Sequence, residues 1–144
     1  MNNAVNFDEI SNVLKGDSNI VFALVFGSRA NGKANRLSDV DIGIFTKIDI
    51  SLLGLGRIVS ALEKVVGKEV DLVVLNDLYK QKPNFAFQVI SSAKVLFTRD
   101  EDLFVYFKKN VFLYYLDVKP LIDMVKANIN KRIETGAFGE RNYA

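Results

Sequence analysis

The chain has 144 residues, 49% of them hydrophobic and 25% charged, with a net charge of only +2, a composition expected of one globular core burying roughly two-thirds of its unfolded surface. It contains neither cysteine nor histidine. That excludes disulfides, thiolate nucleophiles and every Cys- or His-ligated metal, and it leaves Asp, Glu, Lys and Tyr for acid–base work and oxygen ligands for any cation.

No apolar stretch of about 18 residues free of charge occurs, and no basic segment followed by an apolar one opens the chain, so a cytoplasmic protein without membrane contact is expected. Charge is unevenly spread: residues 1–103 carry 12 basic and 13 acidic side chains, residues 104–144 carry 7 and 4. The mildly basic tail reads as a solvated helix face.

In chain order, Asn6 precedes Phe7, Ile10, Val13 and Leu14 at helical spacing, which predicts a short helix ending near Gly16. Ile20–Phe26, IVFALVF, is continuously apolar and rich in β-branched and aromatic residues, the pattern of a strand buried on both faces. Val40–Thr46 alternates as a second strand. Leu52, Leu55, Ile58, Val59, Leu62, Val65 and Val66 form one face of a helix that Gly67 stops. Glu69–Leu75 reads as a third strand and Ala93–Phe97 as a fourth, with a helical region from Asp77 to Ser92 interrupted by Pro83 and Asp77 as its cap. From Asp100 to about Ile133 the pattern is helical with a break or kink at Pro120, and the last ten residues or so are expected to be loose.

The chemistry concentrates between the first two strands, in Gly27–Phe45, GSRANGKANRLSDVDIGIF. Gly27 and Ser28 follow a buried strand directly, where backbone N–H groups and a hydroxyl can face an anion. Ten residues on, Asp39 and Asp41 flank Val40. Period-two geometry points both carboxylates to one face, where their repulsion calls for a divalent cation. Asp71 sits in the third strand; if that strand neighbours the second, three carboxylates suit two Mg²⁺ ions and phosphoryl or nucleotidyl transfer. The run Gly27 to Lys33 also fits the first seven positions of a P-loop, but Ala34 lacks the hydroxyl that a P-loop offers to Mg²⁺.

Gly27, Ser28, the ten-residue spacing, Asp39-Val-Asp41 and the later Asp71 resemble the signature of the DNA polymerase β-type nucleotidyltransferases, and the wording GSRANG…SDVDI is similar to their minimal (MNT) members. Tyr114 to Arg132 further resembles the C-terminal helix of MntA-type antitoxins of HEPN/MNT toxin–antitoxin pairs. The resemblance implies a two-layer α/β fold with a mixed four-stranded sheet, helices on one side and a helical C-terminal extension, the core being residues 1–99 and the extension 100–144. It implies AMP transfer from ATP to a tyrosine hydroxyl of a partner HEPN ribonuclease toxin. Gly27 and Ser28 would hold the β- and γ-phosphates, Asp39 and Asp41 both metal ions, and Asp71 the catalytic one while helping to deprotonate the hydroxyl. Arg29 would brace a phosphate, a role the family pattern does not fix. Two alternatives stand beside this reading: an antitoxin that neutralises by binding alone, and a nucleotidyltransferase acting on a small molecule or RNA, for which the chain is short.

Overall fold

Asn6 starts the first helix by accepting hydrogen bonds from the backbone N–H groups of Asp8 and Glu9 (3.0 and 3.3 Å), and α1 runs Phe7–Lys15. The computed structural model describes residues 5–27 and 39–135. Strands β1 (Ile20–Phe26) and β2 (Val40–Thr46) span the bounds their apolar runs predict. Helix α2 (Leu52–Val66) is capped by Ser51 and stopped by Gly67, whose φ of 73° turns the chain out of the helix. Strand β3 is Val70–Val74. Lys82, before Pro83, leaves helical geometry with φ −139° and ψ 71°, and this splits the next helical region into α3 (Leu78–Gln81) and α4 (Pro83–Ser92). Asp77 stands before α3 but makes no side-chain cap; its carboxylate lies 3.9 Å from Lys80 instead. Strand β4 (Lys94–Thr98) leads into α5 (Glu101–Thr135), a helix of 35 residues.

The sheet has the order β3-β2-β1-β4, with β2 and β3 parallel and the other two pairs antiparallel. The mixed four-stranded sheet and helical C-terminal part follow the expectation. Helices on one side do not, because every residue of β1 is buried and each face has its own apolar cover. Phe22, Leu24 and Phe26 pack with Ala86 and Val89 of α4 and Phe104, Phe107 and Val111 of α5. On the opposite face, Ala23 and Val25 pack with Ile10 and Leu14 of α1 and Leu62 of α2. A strand apolar along its whole length exposes too much surface to be covered from one side.

Helix α5 passes Pro120 without a break. Proline removes the N–H that the Leu116 carbonyl would accept, but Leu116 and Pro120 are both exposed, so solvent can reach that oxygen. Among the described residues no helix is long and apolar enough to cross a membrane. The expectation of a loose end falls on 136–144, outside the described residues.

Two polar ties hold the elements in register. Asn76 accepts from the Thr46 N–H (3.0 Å) and donates to the Thr46 carbonyl (2.7 Å), extending the parallel ladder past the end of β3. Arg99 donates to the carbonyls of Asp17 (2.9 Å), Ile20 (2.7 Å) and Lys15, joining the end of β4 to the α1–β1 connection. Arg99→Ala is expected to cost about 1–2 kcal/mol, since charge-assisted bonds are lost at a partly solvated position. Urea unfolding checks this: the midpoint should fall with the slope unchanged.

Candidate active site

One end of the sheet carries the polar residues. The C-terminal end of β1 lies against the N-terminal end of β2, with Phe26 opposite Asp41, and the parallel register of β2 and β3 sets Asp41 directly beside Asp71. The strand neighbourhood on which a role for Asp71 depends is therefore present. Along β3, Val70, Leu72 and Val74 face the α1–α2 core, whereas Val73 packs on the other face and Asp71 is exposed. Because β3 is an edge strand, Asp71 reaches solvent. Asp39 is exposed just before β2, and the Val40 N–H donates to the Glu69 carbonyl (3.2 Å) to close the two strand starts together.

Asp41 is half-buried, and its carboxyl is pushed above the ordinary 3.8, first by burial, then by the charges of Asp71 and Asp39, and last by a hydrogen bond with Asp71. A carboxyl bonds to a carboxylate only by keeping its proton, so burial and the neighbouring carboxylates all favour the protonated form of Asp41. Among the described residues no three such side chains are drawn into a closed metal cage.

Gly27 closes the site from above. Its φ is 74°, and a Cβ placed on it would lie 2.6 Å from Asp41 Oδ2, so no other residue leaves that carboxylate where it is. Its N–H donates to Ser92 Oγ at 3.3 Å. Ser28 and Arg29 lie outside the described residues. A cleft of about 660 Å³ opens beside these groups, lined by Phe26, Gly27, Asp41, Asp71, Phe85, Gln88, Val89 and Ser92. The α4 residues among them were not legible in the sequence: Phe85, Gln88 and Ser92 look like ordinary helix residues until α4 docks beside β1. The arrangement offers two adjacent carboxylates, a glycine turn and an apolar wall, a setting suited to a cation-bound polyanion carrying an organic group.

Residues 8–102 match the model of the family described as polymerase beta nucleotidyltransferase. The chain belongs to that family. This nucleotidyltransferase is also 40% identical over 57 residues to MJ0435, a candidate protein adenylyltransferase of Methanocaldococcus jannaschii; the match covers 40% of this chain and 61% of that protein. The chain thus spans less than two-thirds of the length of that curated relative. Its fold resembles a chain of the MntA–HpeT toxin–antitoxin complex carrying two Asp-to-Glu substitutions, with a TM-score of 0.68 and 21% identity over 85% of this chain and 99% of that one. It also resembles a chain in the structure of a tri-AMPylated Shewanella oneidensis HEPN toxin with an MNT antitoxin, with a TM-score of 0.61 and 19% identity over 83% and 95% of the two chains.

Proposed function

We propose that this nucleotidyltransferase is an antitoxin that transfers AMP from ATP to a tyrosine hydroxyl of a partner HEPN ribonuclease toxin. The observation that carries the reading is the pairing of Asp41 with Asp71 under Gly27 at the mouth of the cleft. The AMPylated HEPN toxin in the similar complex and the adenylyltransferase relative support the choice of AMP and of a protein acceptor.

The donor set fits hard divalent cations such as Mg²⁺: it is all oxygen, and Asp41, its pKa raised by burial and then by the charges of Asp71 and Asp39, stands beside a second carboxylate whose repulsion a cation would relieve. Asp39 and Asp41 would hold two such ions, and Asp71 would share the catalytic one. Cations bound there supply the positive charge that offsets the triphosphate and make a hydroxyl easier to ionise. Gly27, Ser28 and Arg29 orient the β- and γ-phosphates. Asp71 takes the proton of the tyrosine hydroxyl as its oxygen attacks the α-phosphorus; the new O–P bond forms as the bond to the β-phosphate bridging oxygen breaks, and pyrophosphate leaves. Phe26, Phe85 and Val89 form the apolar wall of the cleft, on which the organic part of the nucleotide would rest.

The deciding experiment incubates the chain with its toxin and α-labelled ATP. Label should appear on the toxin, on a tyrosine by peptide mapping, and disappear with Asp39→Asn and Asp41→Asn. Unlabelled toxin that is nonetheless neutralised by both variants would sink the catalytic reading in favour of binding alone. That second reading has its own support: beyond Tyr115, Leu116, Leu121, Met124, Val125 and Ile129 of α5 are exposed and offer contact area independent of the cleft.

Cation binding has a readout apart from catalysis. Millimolar MgCl₂ should raise the melting temperature of the wild-type chain and leave that of Asp41→Asn nearly unchanged, because a ligand present at about 100 times its Kd stabilises by roughly 2.7 kcal/mol.

A further inference from the structure

Ser92, at the end of α4, is far in sequence from Gly27, Asp41 and Asp71, yet it lines the cleft and touches Gly27. Its hydroxyl oxygen accepts the Gly27 N–H at 3.3 Å, while its own proton is directed back along the helix to the carbonyls of Gln88 (3.1 Å) and Val89 (3.4 Å). Those back-bonds fix the hydroxyl's direction: with its proton committed to α4, the oxygen can only accept. The peptide it holds is the one that cannot move without consequence. Gly27 has a φ of 74°, and the space above its Cα is filled by Asp41 Oδ2.

We infer that Ser92 is a positioning residue that latches the Gly27 turn to α4, holding it clear of the Asp41 carboxylate and aligned for the triphosphate. The inference rests on the nucleotidyl-transfer reading of the same cleft. The latch ties three parts of the site together: β1 through Gly27, β2 through the contact of Gly27 with Asp41, and the apolar wall through α4. Ser92 itself need touch neither substrate nor reacting atoms. Without it, the Gly27 N–H would find a partner only in water or by turning the peptide, and turning the peptide alters the close packing of Gly27 on Asp41.

Two measurements on the full chain test this. Amide hydrogen exchange followed by NMR should show the Gly27 N–H exchanging about tenfold faster in Ser92→Ala than in wild type, the loss expected for one neutral hydrogen bond. Amides of Ala23 and Val25 should keep wild-type protection, which shows that the sheet is intact. In the labelling assay Ser92→Ala should lower kcat about tenfold with KM for the toxin unchanged, and Ser92→Thr, which keeps the hydroxyl, should restore both exchange and rate. Unchanged Gly27 exchange in Ser92→Ala overturns the latch. Faster exchange with a wild-type rate, or no rescue by threonine, overturns its positioning role. A wild-type chain that transfers no label refutes the proposed function, while the exchange arm still decides whether the latch exists.

Discussion

Asp41→Asn is expected to abolish AMP transfer while leaving the fold at least as stable as the wild type. Asparagine keeps the shape and one oxygen of the aspartate but loses the charge that a divalent cation needs, so a fall in kcat of about 10³-fold or more is expected from the several kcal/mol such an ion contributes. The stability effect runs the other way. Burial, then Asp71 and Asp39, raise the Asp41 pKa above 3.8, so the folded state holds this proton more tightly than the unfolded chain does. A group of this kind stabilises the fold most fully below its unfolded pKa, and that contribution is lost as pH rises through the folded value. At neutral pH without divalent cations the ionised Asp41 therefore weighs against folding, and asparagine removes the weight. Thermal melts in chelator at pH 7 should place Asp41→Asn at or above wild type, and the difference should close as pH falls toward 3.8. A lower melting temperature for the variant at pH 7 in chelator would contradict this electrostatic account. Activity and stability thus trade against each other at one residue, as expected where a site is held ready for a charge it does not itself supply.

What could be read in the sequence was local. Ile20–Phe26 and Val40–Thr46 are found at their expected bounds because runs of β-branched and aromatic residues between turn residues have few other solutions. The alternation of Val70, Leu72 and Val74 against Asp71 and Val73 is likewise found in β3. Long-range placement was not legible. IVFALVF announces burial on both faces, but nothing in it says that α1 and α2 cover one face and α4 and α5 the other. The pairing of Asp41 with Asp71 depends on β3 lying beside β2, a fact of strand order that no short pattern encodes. Asn76, Arg99 and Ser92 are harder still. Each works by meeting particular backbone atoms, of Thr46, of the α1–β1 connection and of Gly27, and those atoms arrive only once the chain has folded. Pro120 shows the converse: a strong local breaker fails to break α5 where the helix is solvated on the side of the missing bond.

Gly27→Ala should also damage transfer severely, for two reasons that can be separated. A left-handed φ of 74° costs a residue with a Cβ about 1–2 kcal/mol wherever it occurs. The second reason is particular to this site, since the new Cβ would lie 2.6 Å from Asp41 Oδ2. Relief requires either swinging the Asp41 carboxylate away from its place beside Asp71 or turning the Gly27 peptide off Ser92, and each disorders the site. A displacement of about 1 Å of a reacting group is enough to lower the rate about 10²-fold, so at least that loss is expected. A double-mutant cycle separates the causes. In the Asp41→Ala background the offending oxygen is gone, and only the conformational cost should remain. Unfolding in chelator should therefore show a smaller penalty for Gly27→Ala there than in wild type. Equal penalties in the two backgrounds would mean that the close approach of Gly27 to Asp41 carries no energy, and that the glycine is required by its backbone angle alone.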